Sequence, residues 1–563
     1  LPGTIAGFSK FSTMNRFASC IALLWLSIAT TAQNNQTAVK PGNLPHPRLV
    51  IGIVVDQMRW DYLYRFYDRY AEDGGFKLLL NQGLSCENTF IPYTPTVTAC
   101  GHTSIYTGSV PSIDGITGNE WWDYHLSQMV YCTGDTSTRT IGSNTDAGQM
   151  SPRNLLVTTI GDEIHLANNF RSKVIGIALK DRGAILPAGH SADGAYWYDE
   201  KTGDWITSSY YMNDLPKWVK DLNAKKLPDQ YYAQEWNTMY PINTYVQSTP
   251  DEETFEYRPF GADAKGFPYR LSPFIGKNYG ILHVTPYGNS FTFDLAKAAV
   301  LGEAMGSGAQ TDLLTISLST PDYIGHTFGP NSVESEDDFL RMDKDLGEFI
   351  RFLDKQVGKG QYLIFLTADH GVAQVPAFLN EHNIPAGNVD AGAIGGELNK
   401  LLQEKFKTPK LVIGIINYQV YLDRNLIREA RLHKDQVYQE IIAFLLDQPG
   451  ISRAFAIDAL NETTLNSDLK NALANGNYPP RSGDIQLIFK PHWIEGFQNR
   501  GTTHGVWNPY DTHIPLVWYG WNIPSGKTNR KIDMTDIAPT VCAILHIQMP
   551  SGSIGRVIEE VVK

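Results

Sequence analysis

Three histidines and three aspartates of this chain stand in short motifs where a backbone is expected to turn. Thr320-Pro321-Asp322-Tyr323-Ile324-Gly325-His326 sets a carboxylate and an imidazole four residues apart, so that both face one cation from a helical turn. Singly, a capping Asp and a surface His explain that pattern more often. Thr367-Ala368-Asp369-His370-Gly371 places an Asp–His pair at the end of an apolar run, with a glycine that permits a sharp turn. Arg500-Gly501-Thr502-Thr503-His504-Gly505 adds a histidine in a glycine-flanked loop, and Asp56 closes the run Leu49–Val55. Singly, His504 reads as a loop histidine and Asp56 as a helix cap. Together, Asp56, Asp322, Asp369, His326, His370 and His504 are an N/O ligand set that suits two zinc ions with positions open for water and substrate. Two metals about 4 Å apart stabilise the attacking and leaving oxygens of an in-line phosphoryl displacement.

A nucleophile for that displacement is offered by residues 93–108, YTPTVTACGHTSIYTG. Pro95 forces an extended approach and Ala99 favours helix, so a helix is expected to open near Thr98. A hydroxyl there sits beside unpaired backbone N–H groups that stabilise an anion. It also serves as an N-cap, the commoner role for such a residue. Thr94, Thr96 and Thr103 compete with Thr98 on spacing alone. Cys100 is a poor nucleophile candidate, because Cys100-Gly101-His102 lacks the proline and arginine that mark the modified cysteine of sulfatases. Lys180-Asp181-Arg182 supplies two cations, on one side of the chain if it is extended, and arginine and lysine both bind phosphate. The alternative is a solvated basic pair at a sheet edge.

These residues need a scaffold that brings chain turns together. Leu49–Val55, 173–179, Asp312–Leu318, Tyr362–Thr367 and 514–519 are apolar runs typical of strands buried on both faces of a parallel sheet. Four of the five lead directly into charged or metal-binding side chains, and open α/β sheets bind ligands beyond the carboxyl ends of their strands. Residues 335–354 carry Phe339, Met342, Leu346, Phe349, Ile350 and Leu353 at helical spacing, with acids and bases on the other face. Weaker helical patterns cover 153–168 and 536–546. The expected fold is α/β, a mostly parallel central sheet with helices on both faces. A core of 48–375 and 501–563 then carries an aromatic-rich insertion at 183–290 and an inserted cap at 376–500. The cap shows its own α/β pattern: Gln419–Leu422, a helix over Lys434–Leu446, 453–457 and Ile485–Phe489.

The net charge of −12 over 563 residues argues against a nucleic-acid partner, which demands a basic footprint. Met14-Asn15-Arg16, the apolar stretch 17–28 and Ala29-Thr30-Thr31-Ala32 read as a secretory signal, with an upstream extension before Met14. Residues 1–32 would be removed and 33–47 would be a linker. About a dozen apolar residues are too few to span a bilayer, and no later stretch qualifies, so a secreted or periplasmic chain is expected. Export permits disulfides among Cys86, Cys100, Cys132 and Cys542, with Cys86–Cys100 the nearest pair.

The order of motifs, Asp56, Thr98 before Gly101-His102, Asp322-x3-His326, Asp369-His370 and His504, resembles the alkaline phosphatase superfamily over about residues 48 to 550. Within it the chain is most similar to the phosphate-irrepressible, threonine-nucleophile bacterial alkaline phosphatases, of the type I phosphodiesterase/nucleotide pyrophosphatase-like family. The resemblance implies one zinc on Asp322, His326 and His504, and another on Asp56, Asp369, His370 and the Thr98 oxygen. It also implies that Asn119, Lys180 and Arg182 hold the phosphoryl oxygens. The implied activity is hydrolysis of small-molecule phosphate monoesters through a phosphothreonine. A phosphodiesterase or nucleotide pyrophosphatase with the same site is the alternative, and a non-catalytic secreted binder on this fold is a further one.

Overall fold

The computed structural model describes residues 45–496 and 500–562, so the expected signal and most of the expected linker lie outside the described residues. Among the described residues no helix is long and apolar enough to cross a membrane. The first half of the chain supplies strands β1 (Leu49–Val55) and β2 (Leu84–Phe90), helix α1 (Thr98–Thr107) and the hairpin of β3 (Glu120–Asp123) and β4 (Gln128–Tyr131). Helix α2 (Ile160–Asn168), strand β5 (Val174–Ala178), helix α3 (Asp181–Ala188), and strands β6 (Gly194–Asp199) and β7 (Asp204–Ser208) follow. Then come strand β8 (Asp312–Leu318), helices α4 (Thr320–Phe328) and α5 (Val333–Leu353), and strand β9 (Tyr362–Thr367). The last part holds β10 (Val412–Ile416), β11 (Gln419–Leu422), α6 (Lys434–Leu446), β12 (Ile451–Ala456), β13 (Ile485–Phe489), β14 (Leu516–Gly520), β15 (Gly526–Asp533) and α7 (Ile537–Leu545).

An eleven-stranded sheet runs in the order His513–Ile514, β2, β14, β9, β1, β8, β5, β6, β7, Thr140–Ile141, with β15 paired to β2. Its middle, β9-β1-β8-β5-β6, is parallel. Every residue of β1, β8 and β9 is buried. Alternate side chains point to opposite faces, so both faces of the sheet are covered, as their unbroken apolar runs require. From α5, Leu346, Phe349, Ile350 and Leu353 share the core with these strands, and from α1 so do Ile105 and Tyr106.

The run at 514–519 behaves differently from the other four. It splits into His513–Ile514 and β14, and β14 lies antiparallel to β9, with Leu516 opposite Thr367 and Gly520 opposite Leu363. Its amino end therefore lies at the edge where the parallel strands have their carboxyl ends. That is why its neighbouring ligand candidate, His504, comes before the strand while those of the others come after.

Residues 376–496 contain a four-stranded sheet, β10-β11-β13-β12, with an apolar core that includes Leu398, Val437, Ile441 and Ile485. The aromatic-rich segment at 183–290 does not stand apart from the core. β6 pairs in parallel with β5, β7 pairs with β6, and Trp205, Tyr232, Trp236 and Tyr269 join the main core.

That segment also corrects the expectation for α5. Its acids do not all face water, since Glu334, Glu336, Asp337, Asp338 and Asp343 are buried. The segment donates to them, Asp343 apart: Trp236 Nε1 (2.8 Å), Met239 N (2.6 Å) and Tyr245 OH (2.6 Å) all bond to Asp337, and Asn289 Nδ2 bonds to Asp338 (2.9 Å), while Asp343 accepts from Ala71 N and Phe76 N. Helical periodicity marks the apolar face but cannot see donors that arrive from 100 residues away. The expected Cys86–Cys100 bridge is also absent, because all four described cysteines are free and buried. Cys100 Sγ instead contacts Ile116 O at 3.1 Å.

Asp337→Ala would strand three donors and the Arg341 guanidinium, whose Nε lies 2.6 Å from that carboxylate. Chemical denaturation is expected to show a loss of about 3–5 kcal/mol. A loss below about 1 kcal/mol, the size of an ordinary substitution, would mean that the aromatic segment is held by other contacts.

Candidate active site

Six of the expected metal-ligand and cationic residues are set at one edge of the central sheet. Asp56 directly follows β1, Lys180 caps α3 after β5, Asp322 lies in the first turn of α4 after β8, and Asp369 and His370 follow β9. His504 lies in the loop that precedes β14. On α4 the i,i+4 spacing brings His326 Nε2 to 3.1 Å from Asp322 Oδ1, and His504 Nε2 lies 3.4 Å from the same oxygen. His370 Nε2 stands 3.5 Å from Asp56 Oδ1 and 3.4 Å from Asp369 Oδ2. Among the described residues two groups are close enough to hold a metal ion: Asp322, His326 and His504, and Asp56, Asp322 and His370. Asp369 adjoins the second group through His370.

All three imidazoles are aimed the same way. Nδ1 of His326 meets Thr502 O at 2.7 Å, Nδ1 of His370 meets Gly371 O at 3.0 Å, and Nδ1 of His504 meets Thr96 O at 2.7 Å. A carbonyl only accepts, so Nδ1 carries the proton and Nε2 presents its lone pair to the cluster. Burial pushes the His370 pKa down to about 3 and lowers that of His504, which favours the neutral, ligating form, whereas at His326 burial is outweighed by the charge and hydrogen bond of Asp322, which raise the pKa.

The carboxylates divide: against burial, the charges of His326 and Lys180 hold Asp322 well below the usual range, and those of His370 and His102 lower Asp369. Asp56 and Asp369 are fully buried, and Asp322 nearly so. Burial, then the charges of Asp322 and Asp369, raise the Asp56 pKa well above the usual range, and Lys180 only partly opposes this. Asp56 Oδ1, Asp369 Oδ2 and His370 Nε2 are buried without a hydrogen-bond partner. Orphaned buried polar atoms are costly, and here three from one cluster converge. A divalent cation satisfies them, so the residues present fit a metal.

Thr98 is the first residue of α1, and Val97 holds the N-cap position without a side-chain cap. The N-cap role considered for Thr98 therefore does not apply. The hydroxyls of its competitors are committed to carbonyls: Thr94 to Gly505 O (3.3 Å), Thr96 to Val506 O (2.9 Å) and Thr103 to Ala99 O (2.8 Å). Helix α1 comes very close to the cluster, since a Cβ at Gly101 would lie 2.4 Å from Asp369 O. Asn119 Oδ1 accepts from Ala99 N at 3.0 Å, next to Thr98, and keeps its NH2 group for other acceptors.

The two cations of Lys180-Asp181-Arg182 do not project from an extended strand. Lys180 caps α3 and Arg182 lies in its first turn, and the charges of both reach Tyr323 and His283. Lys180 Nζ bonds Asp56 Oδ2 at 2.7 Å and Asp322 Oδ2 at 2.5 Å, and Arg182 Nη1 donates to Tyr131 OH at 3.0 Å.

Several supporting residues escaped the sequence reading. Gln57, in a left-handed conformation (φ 68°), donates from its backbone to Asp369 Oδ1 at 3.1 Å and from Nε2 to Asp322 Oδ1 at 2.7 Å. His102 is no ligand, because its nitrogens meet Thr98 O (2.9 Å) and Ser317 Oγ (2.8 Å). Asp511 accepts from Gly505 N and Val506 N, both at 2.9 Å, and Tyr418 OH donates to His504 O at 2.9 Å. Adjacency to Asp56 and the i,i+4 step from Thr98 were signals for Gln57 and His102. Nothing local marked Asp511 or Tyr418.

Residues 50–511 match the family model described as type I phosphodiesterase / nucleotide pyrophosphatase. The chain is 50% identical over 547 residues to alkaline phosphatase PhoV of Synechococcus elongatus, covering 96% of this chain and 98% of that protein. It is 46% identical over 543 residues to alkaline phosphatase PafA of Elizabethkingia meningoseptica, covering 96% and 98%. The crystal structure of wild-type PafA superposes with a TM-score of 0.91 at 47% identity, over 92% of this chain and all of the other.

Three buried carboxylates facing one lysine predict that removing bound metal weakens the fold. Dialysis against EDTA is expected to lower the unfolding midpoint, and readdition of a divalent metal to restore it, because a ligand held far above its Kd adds about 4 kcal/mol at 1,000-fold excess. An unchanged midpoint with metal demonstrably removed would contradict the charge balance described above.

Proposed function

The chain belongs to the type I phosphodiesterase / nucleotide pyrophosphatase family and is a phosphatase, and from that premise we propose that it hydrolyses phosphate monoesters through a covalent phosphothreonine at Thr98. The observation that carries this reading is the Thr98 hydroxyl at the start of α1, without a side-chain capping bond, on the helix whose Gly101 packs against Asp369, beside a buried cluster of three carboxylates and three histidines whose Nε2 atoms face into it. The N/O donor set and its two groups suit two zinc ions, one on Asp322, His326 and His504, the other on Asp56, Asp369, His370 and Thr98. Bound there, zinc would lower the pKa of the Thr98 hydroxyl and neutralise charge on the leaving oxygen.

The chain's own residues supply the rest. The Thr98 oxygen, freed of its proton, forms a bond to phosphorus as the bond to the ester oxygen breaks in line. Water then attacks the phosphothreonine, the P–O bond to Thr98 breaks, and phosphate leaves. Asn119, Lys180 and Arg182 would hold the non-bridging oxygens and stabilise charge more than they transfer protons. A monoester dianion carries more charge on those oxygens than a diester, so two cations, Lys180 buried and Arg182 half-buried, favour it. Lys180 already stands among the cluster's carboxylates, which puts its charge at the centre of the site. PhoV and PafA, named as alkaline phosphatases, support the monoester reading, while the family description keeps the diester reading open to test. Export to the periplasm or medium rests on the signal pattern before residue 33.

Steady-state kinetics on an aryl phosphate and its methyl diester decide between the readings. A higher kcat/KM for the monoester is expected, and a strong diester preference would overturn the assignment. Thr98→Ala is expected to cost at least about 10³-fold in kcat, as loss of a covalent nucleophile does, with metal content retained. Full activity in Thr98→Ala together with its loss in Thr96→Ala would move the nucleophile.

A further inference from the structure

The two cations of the site are treated in opposite ways by their neighbours. Lys180 is paired with two carboxylates, whereas Arg182, half-buried with its Nε fully enclosed, takes part in no ion pair among the described residues although it is adjacent in sequence to Asp181. Burying an unpaired guanidinium is costly, and a neighbouring aspartate would ordinarily neutralise it. The hydrogen bonds show where that carboxylate goes instead. Asp181 Oδ1 lies 2.8 Å from Tyr131 OH, and its Oδ2 lies 2.6 Å from Thr133 Oγ1. Arg182 Nη1 lies 3.0 Å from the same tyrosine oxygen.

Only one proton arrangement fits this chain of contacts. A guanidinium can only donate and a carboxylate can only accept, so Tyr131 OH accepts from Arg182 and donates its own hydrogen to Asp181. Burial, followed by the charge of Asp181, raises the Tyr131 pKa well above its usual value, so the hydroxyl stays protonated. Arg182 Nε remains buried without a partner, a donor left over for an anion. Tyr131 is itself fixed, because Glu120 and Tyr131 are paired across the β3–β4 hairpin and Cys132 N bonds Asn119 O at 2.9 Å. One hairpin thus carries both the Asn119 amide and the tyrosine that holds Arg182.

We propose that Tyr131 is a positioning residue for monoester selectivity: its hydroxyl holds Arg182 in place and keeps Asp181 from neutralising it. This rests on the reading that Arg182 binds a phosphoryl oxygen. The neutral hydroxyl passes on part of the aspartate's stabilisation while leaving the full positive charge for the substrate. A phenylalanine at 131 removes the acceptor and frees one carboxylate oxygen to approach Arg182.

The test uses the purified, metal-loaded enzyme and compares kcat/KM for an aryl phosphate and its methyl diester in Tyr131→Phe, Arg182→Ala and the double variant. Tyr131→Phe is expected to lower the monoester value roughly tenfold, the scale of one charge-assisted hydrogen bond, with the diester value changed less than about twofold. In the Arg182→Ala background the same substitution should add no further loss. Asp181→Asn combined with Tyr131→Phe should recover part of the monoester rate, which a merely structural tyrosine would not produce. If Arg182→Ala lowers the monoester-to-diester ratio while Tyr131→Phe leaves it unchanged, or lowers both substrates equally, the inference fails and the reading of Arg182 stands. If Arg182→Ala itself leaves the ratio unchanged, the underlying reading fails. Should Tyr131→Phe not fold, Thr133→Val frees the other oxygen of Asp181. A smaller shift in the same direction supports the proposal, and an unchanged ratio overturns it.

Discussion

Three aspartates buried together at one edge of a parallel sheet impose the constraint that the rest of the site answers. Asp56, Asp322 and Asp369 are drawn from the ends of three adjacent strands, β1, β8 and β9, so the register of the sheet fixes their separation before any side chain is placed. One lysine cannot balance three carboxylates in a medium where isolated charge costs several kcal/mol per ion. The neighbouring histidines do little to remove the imbalance. All three turn Nδ1 to a carbonyl and Nε2 to the cluster, and burial keeps His370 and His504 neutral, so those two add ligands without adding cations. Such an arrangement is unfavourable without divalent cations and favourable with them.

Precision at this edge comes from far along the chain. The His504 loop is held by Asp511 through the Gly505 and Val506 amides, and by Tyr418, which precedes β11 of the second sheet, through His504 O. Gly505 has φ 128°, a conformation that other residues rarely adopt, and a Cβ there would lie 2.5 Å from Tyr418 OH. The second sheet thus reaches the site through backbone positioning rather than by contributing a ligand. A misplacement of about 1 Å in such a support costs about 10²-fold in rate when the chemistry depends on in-line geometry.

What could be read from the sequence follows from which forces are local. Continuous apolar runs show buried parallel strands, and a parallel sheet collects ligands at its carboxyl edge, so Asp56, Asp322, Asp369 and His370 were legible as strand-end residues. The direction of β14 was not, because an apolar run has no polarity; only its pairing with β9 shows that His504 belongs before it. The acids of α5 looked solvent-facing, since periodicity counts residues on one helix and the donors that bury them lie on another segment. Thr98 looked like a cap because caps and nucleophiles share residue types; the backbone places the cap one residue earlier, at Val97. Gln57, Tyr131 and Tyr418 act through one or two hydrogen bonds to distant segments, and Asp511 through two to the loop just before it, for which a sequence carries no periodic signature.

The site contains two cations with different neighbours, and the difference bears on how anions are selected. Lys180 bonds Asp56 and Asp322, so its ammonium belongs to the charge balance of the carboxylate cluster as much as to any substrate. A flexible point charge suits that shared duty, since it can reorient between acceptors. Arg182 is held by a neutral hydroxyl in a fixed plane, and its nearest carboxylate is occupied by Tyr131 and Thr133. A planar guanidinium, kept unpaired and unable to lose its proton, is a standing reward for whichever substrate brings the most negative charge to it. If Arg182 binds a phosphoryl oxygen as proposed, discrimination by charge depends less on adding cations to the site than on preventing the protein's own aspartate from using one up.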